Sequence, residues 1–323
     1  MICDICYQKI ELKKYLEHLR TSHPSYYESF VEDLKTLYDY KELINEITIN
    51  LNISQELFKS RLNLLMESSP EYKIDKPLDL KKMEPKDFKM EATTIWSFKQ
   101  RGNWATHSGK YRGNWSPYIP RNLILRYSKE NDVVLDPFLG SGTTLIETKL
   151  LKRYGIGVDI NPDAIKITEQ NLRFDNNNEY HPKVYNSDSR NLDIIEDNSI
   201  DLICAHPPYA NIIKYSDDIA DDLSLLDIEE FLGEIGKRAK ELFRVLKRNK
   251  YCAVLIGDTR RNKHMIPLGF RVMQEFLNSG FVLKENIIKE QHNCQATGFW
   301  HQKSIDYNFL LIAHEYLFVF RKP

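Results

Sequence analysis

An excess of charge of either sign is missing from this 323-residue chain: 45 Lys and Arg stand against 46 Asp and Glu, leaving a net charge of -1. A chain so balanced carries no global basic field, so any nucleic-acid contact must rest on a local face. Long apolar runs are also missing, and no secretory leader opens the chain. A spanning helix needs about 20 apolar residues, so the expectation is a soluble, cytoplasmic protein with no membrane partner. The five cysteines are odd in number and mostly scattered. They do not form a disulfide framework. What is present is ample core material, with 42% hydrophobic residues over a length that allows one or two domains.

The most informative stretch is Asp136-Pro137-Phe138-Leu139-Gly140-Ser141-Gly142-Thr143-Thr144. An apolar run, Val133-Val134-Leu135, leads in, and a helix-like run from Leu145 to Tyr154 leads out. Strand, glycine-rich turn and helix open a doubly wound α/β sheet. Glycine lets the backbone bend sharply and approach a ligand, and the helix N-terminus points free N–H groups at the same place. Two absences narrow the ligand. The turn lacks the Gly-Lys-Ser/Thr ending of a phosphate-gripping loop and the third glycine of a dinucleotide fingerprint. Instead Asp136 ends the first strand, where it can meet a cationic or amino group. Asp159 ends the next strand, Gly155-Ile156-Gly157-Val158, placed to hold ribose hydroxyls. Together these features favour S-adenosylmethionine over a dinucleotide. The bland alternative is a tight turn with helix-capping acids.

The N-terminus reads Cys3, Cys6, His18 and His23, a C-x2-C-x11-H-x4-H spacing. Two thiolates on a knuckle and two imidazoles about one helical turn apart make a closed tetrahedral site for structural zinc. The alternative is two free thiols and two surface histidines. The domain expectation is a C2H2-like zinc finger over 1–28, a helical spacer and linker over 29–90, and the α/β domain over 91–323. From Thr94 to Tyr127 aromatic residues sit beside arginines, including Trp96, Arg101, Trp104 and Trp115. Such pairs suit stacking on bases or adenine, or else form a packed aromatic loop. Beyond the glycine turn, a helix from Pro162 and strands at Lys183–Tyr185, Asp201–Ala205 and Tyr251–Ile256 continue the alternation. Asp188 follows the third strand, where it can accept from an adenine amine. The expected fold is a doubly wound, mostly parallel seven-stranded sheet closed by an antiparallel pair.

His206-Pro207-Pro208-Tyr209 follows a strand and so shares the carboxyl edge with the glycine turn. An acceptor at 206 plus the Pro207 carbonyl can hold both hydrogens of an exocyclic amine, and Tyr209 can stack on a flat ring. With both motifs quoted, residues 94 to 323 resemble the amino-methyltransferases that modify N4 of cytosine or N6 of adenine in DNA. That family's cofactor motif resembles Asp136 to Thr144, and its Asp/Asn/Ser-Pro-Pro-aromatic motif resembles His206 to Tyr209. Its cofactor-closing segment resembles the region of Trp96, Thr106 and Asn122.

The resemblance implies a cofactor shell of Trp96, Thr106, Asn122, Asp136, Pro137, Phe138, Gly140, Gly142, Thr143, Asp159, Ile160, Asp188 and Ser189, and a catalytic group of His206, Pro207, Pro208 and Tyr209. It implies double-stranded DNA as partner and allows for a cognate restriction enzyme. His206 departs from the family's acid, amide or serine, and the missing acid favours cytosine N4 over adenine N6. No Pro-Cys nucleophile is present, and Cys204 falls inside an expected strand, so transfer is expected to be direct. The rival readings are a tRNA guanine-N2 methyltransferase, which shares a Pro-Pro-Tyr motif, and an inactive zinc-finger binding module.

Overall fold

The alternation expected from the sequence appears as strands whose two faces are both covered. The computed structural model describes residues 80–323, except 81, 112, 177–178, 210–222, 224–225, 262–263 and 293–296. The chain divides into two compact units, residues 1–71 and 72–323, and all described residues belong to the second. The expected zinc ligands Cys3, Cys6, His18 and His23 lie outside the described residues, as does most of the helical spacer. Among the described residues, no group of three or more His, Cys, Asp or Glu could hold a metal ion.

In chain order the elements are β1 (Ile95–Ser97), α1 (Tyr118–Tyr127), β2 (Val133–Asp136), α2 (Thr143–Leu150), β3 (Tyr154–Asp159), α3 (Pro162–Asn171), β4 (Lys183–Asn186) and β5 (Ile200–Ala205). Then follow α4 (Ile228–Val245), β6 (Leu246–Ile256), β7 (Thr259–Arg261), β8 (His264–Ile266), α5 (Leu268–Asn278), β9 (Val282–Glu290), α6 (Thr297–Asp306) and β10 (His314–Arg321). Eight of the strands form one sheet in the order β1-β9-β10-β6-β5-β2-β3-β4, and β7 pairs with β8 in a separate hairpin. Within the large sheet β10 alone runs against its neighbours.

The sheet therefore has eight strands, not the seven expected. The extra strand is β1, which adds in parallel to the edge of β9 by pairing Ile95 with Ile288 and Trp96 with Lys289. Three residues give no periodic signal, so the sequence alone reads this stretch as an aromatic loop.

Side chains of the central strands alternate between two apolar layers, as a period of two requires. Ile203 and Ala205 of β5, Cys252, Val254 and Ile256 of β6, and Tyr316, Phe318 and Phe320 of β10 face the layer of α4 and α5. Leu202 and Cys204, Ala253 and Leu255, and Leu317 and Val319 face the layer of α1. Cys204 is thus a small buried core residue. Each fully buried Leu, Ile or Phe contributes about 1.5–3 kcal/mol relative to exposure. Helix starts follow local rules: Asn161 caps α3 ahead of Pro162, and Asp227 with Glu230 forms a capping box on α4. Among the described residues no helix is long and apolar enough to cross a membrane.

The candidate active site at the carboxyl edge

All five central parallel strands end on one rim, and the turns that leave β2, β3 and β5 meet there. The turn after β2 needs its glycines: Gly140 and Gly142 have φ of 53° and 82°, in the left-handed region. A Cβ at Gly142 would lie 2.7 Å from Cγ2 of Thr168, so space as well as conformation excludes a side chain. Asp159, at the end of β3, accepts from the Gly140 N–H at 2.8 Å and the Asn161 N–H at 2.9 Å, tying the two turns together. Asp136 accepts from the Phe138 N–H and the Thr144 hydroxyl and is 2% exposed. Burial pushes its carboxyl up to about 7, against the pull of those two hydrogen bonds.

These turns line a first cleft with Pro137, Phe138, Gly140, Ile160, Asp188 and Ser189. Asp136 and Asp159 line it too. The carboxylate of Asp188 is shared by Arg190 and by Arg238, which also donates to the Ser189 hydroxyl. An arginine-clamped acid at this wall was not foreseen, because Arg238 comes from α4, some fifty residues along the chain.

Three expected cofactor residues lie elsewhere. Trp96 packs in the α1 layer, and its indole N–H donates to the Thr93 carbonyl. The Thr106 hydroxyl donates to the Asn171 carbonyl at 2.6 Å, and Thr106 lines neither cleft. Asn122 is buried within α1, where its amide bridges the Glu91 N–H and the Tyr118 carbonyl. None of the three lines either cleft. Gly142 and Thr143 also stay behind the cleft wall, shaping the turn without lining the space.

The segment that does approach from before β2 is Tyr111 to Trp115. Asn114 donates to the Ser141 hydroxyl and accepts from the Thr143 hydroxyl, both at 2.6 Å, which pins this loop onto the glycine turn. Trp115 stacks on the His206 ring at 5.4 Å and 15°. The earlier aromatic pair plays a different part. The Trp104 indole and His107 bond to one oxygen of Glu147, and Arg121 donates to the other, in a buried cluster under α2.

His206 follows β5 and lines both the first cleft and a second of about 630 Å³. That volume falls within the range of about 300–1,000 Å³ typical of small-molecule sites. Pro208 faces the first cleft and Tyr209 the second, while Pro207 is buried between them. The Tyr209 hydroxyl donates to Glu315 at 2.7 Å and lies 3.0 Å from Nε2 of His206. Lys289 donates to the other oxygen of Glu315 at 2.8 Å. Burial pushes the His206 imidazole down to about 4; Glu315 opposes this, and Lys289 and Arg101 reinforce it. Imidazole at this position is therefore neutral, an acceptor like the residues it replaces in the family motif. Neither Glu315 nor Lys289 stands near a recognisable motif; only the register of β9 against β10 brings them here.

A family model described as DNA methylase matches residues 8–170 and 200–323. The chain belongs to the DNA methylase family. A second model, the RMKL-like methyltransferase domain, matches residues 123–223, the stretch holding both motifs. Among curated proteins, the chain is similar to the Type II methyltransferase M2.LlaDCHI of Lactococcus lactis subsp. cremoris, 42% identical over 74 residues, 23% of this chain and 26% of that protein. It is similar to the Type II methyltransferase M.HpaI of Haemophilus parainfluenzae, 50% identical over 50 residues, 16% of each chain. It is also similar to a tRNA (guanine(10)-N2)-dimethyltransferase of Methanothermobacter thermautotrophicus, 35% identical over 100 residues, 31% of this chain and 29% of that protein. The chain thus matches under a third of the length of each of these three.

Proposed function

We propose that this chain transfers a methyl group from S-adenosylmethionine to the exocyclic amine of a base flipped out of double-stranded DNA, with cytosine N4 favoured over adenine N6. The observation that carries this reading is His206, which lines the acid-walled cleft and the Tyr209 cleft at once. A donor in the first and an amine in the second would meet at that side chain.

The first cleft fits the cofactor's chemistry. Asp136 and Asp159 offer carboxylates to a molecule carrying an ammonium, a sulfonium and ribose hydroxyls. Phe138 and Tyr111 offer flat apolar walls. Once bound, S-adenosylmethionine would supply a sulfonium methyl to the amine lone pair, with the C–S electrons left on sulfur and one proton shed by the amine. The chain's own residues hold and orient. Neutral His206 and the Pro207 carbonyl accept the two amine hydrogens, and Tyr209 stacks on the ring. Reaching a base within a duplex requires flipping it out. The hairpin of β7 and β8 carries Arg260 at the second cleft and Arg261 next to it in the strand, where they would meet backbone phosphate. Lys247 and Lys250 have another task, since both pair with Asp201.

The N-terminal Cys3, Cys6, His18 and His23 complete the proposal as a structural zinc site; metal analysis of the purified chain should find one zinc. A cognate restriction enzyme is the partner that the Type II relatives suggest. The likeness to a tRNA dimethyltransferase favours RNA as the second reading. Labelled methyl transfer to duplex DNA and to tRNA in parallel separates the two. Label in DNA alone is expected, and label in tRNA alone would overturn the DNA reading.

A further inference from the structure

One network beside the second cleft exceeds what holding Tyr209 in place requires. Glu315 and Lys289 are direct cross-strand partners at the rim, and their carboxylate and ammonium meet at 2.8 Å. A carboxylate so paired is ionised and can only accept hydrogen bonds. Burial by itself would raise Glu315, but Lys289, His206 and Tyr209 outweigh it and hold the carboxyl below its usual range. The Tyr209 O–H therefore donates to Glu315, leaving only its lone pairs for Nε2 of His206 at 3.0 Å. A neutral imidazole facing a lone pair must carry its proton on that nitrogen. Nδ1 is then bare. It makes no hydrogen bond among the described residues, and the ring that carries it lines both clefts.

We propose that Glu315 and Lys289 are positioning residues that set the His206 tautomer through Tyr209, so that Nδ1 accepts one hydrogen of the target amine. This rests on the amine-methyltransferase reading. It explains how histidine serves where the family motif has an acid, amide or serine. With the opposite tautomer, Nδ1–H would point a donor at the amine and block it. The charged groups facing His206 pull against one another. Arg101 and Lys289 disfavour a second proton, and Glu315, which favours one, is held by Lys289 and Tyr209. When the amine nitrogen gains the methyl it becomes strongly acidic. Its proton passes to Nδ1 and on to water.

Nitrogen-15 NMR of histidine-labelled protein without ligands reads the tautomer directly. Wild-type protein should show His206 as Nε2–H. The paired variant Glu315→Met with Lys289→Met removes both charges at nearly constant volume. The Tyr209 hydroxyl, no longer held by a carboxylate at 315, should donate to Nε2, and His206 should change to Nδ1–H. In that variant kcat should fall about ten- to hundredfold while cofactor Kd stays within about twofold. Wild-type Nδ1–H overturns the inference, as does an unchanged tautomer in a folded paired variant. Should the paired variant fail to fold, Tyr209→Phe gives the same decision: loss of the single Nε2–H form supports the relay, and its persistence overturns it. An active wild-type enzyme with Nδ1–H would sink the relay and leave the transferase reading intact. An inactive protein with the expected tautomers would do the reverse.

Discussion

Acid should weaken cofactor binding through Asp136. Burial raises this carboxyl to about 7, so in the free protein about 1% is ionised at pH 5 and about half at pH 7. A cationic ligand against it favours the ionised form, so binding must expel a proton. If the bound carboxyl returns to its ordinary value of 3.8, affinity falls about fiftyfold from pH 7 to pH 5. His206, at about 4, stays neutral across this interval and adds no slope. Folding carries the opposite sign. An acid raised in the fold contributes stability below its unfolded value of 3.8, and that contribution is lost as pH rises through about 7. The cofactor-induced rise in Tm should therefore grow with pH over that window. Titration calorimetry in two buffers of different ionisation enthalpy measures Kd and proton release together. Wild type should release nearly one proton at pH 5, and Asp136→Asn should release none and show a flat Kd. A flat wild-type Kd, or an equal slope in Asp136→Asn, would refute the argument.

Three substitutions test the supporting structure. Gly142→Ala places a Cβ at left-handed φ and 2.7 Å from Thr168; it should cost about 1–3 kcal/mol by urea denaturation. Glu147→Ala removes the buried acceptor of Trp104 and His107 and leaves Arg121 only its exposed partner Glu84; a loss of about 3–5 kcal/mol is expected in the same assay. Gly257→Ala puts a Cβ 3.1 Å from Cε2 of Tyr209; displacing the ring by a few tenths of an ångström should lower kcat with little change in Tm, and an unaltered kcat would show that Tyr209 need not be so closely placed.

The two motif loops were legible because each sits at the end of an apolar strand and carries its chemistry in adjacent residues. Asp136, Gly140 and Asp159 needed only the strand–turn–helix pattern to be placed on one rim. His206 and Tyr209 needed only the next strand. The segment before β2 was harder. Trp96, Thr106 and Asn122 look as polar or aromatic as Asn114 and Trp115, and nothing local says which of them faces inward. Docking of Asn114 on Ser141 and Thr143 decides it, and that is a tertiary contact. Strand β1 escaped for a similar reason: three residues become a strand only because the edge of β9 is there to receive them. Glu315 and Lys289 were invisible because the two residues, 26 apart in sequence, meet only through the register between their strands.

The central claim is that an exocyclic amine, not a ring carbon, receives the methyl. Incubating the protein with duplex DNA and isotopically labelled cofactor, digesting to nucleosides and identifying the labelled product by mass spectrometry tests it most directly. The account predicts N4-methylcytosine. N6-methyladenine would keep the amine chemistry and overturn the choice of base, whereas 5-methylcytosine, or no labelled nucleoside from any duplex, would contradict the account.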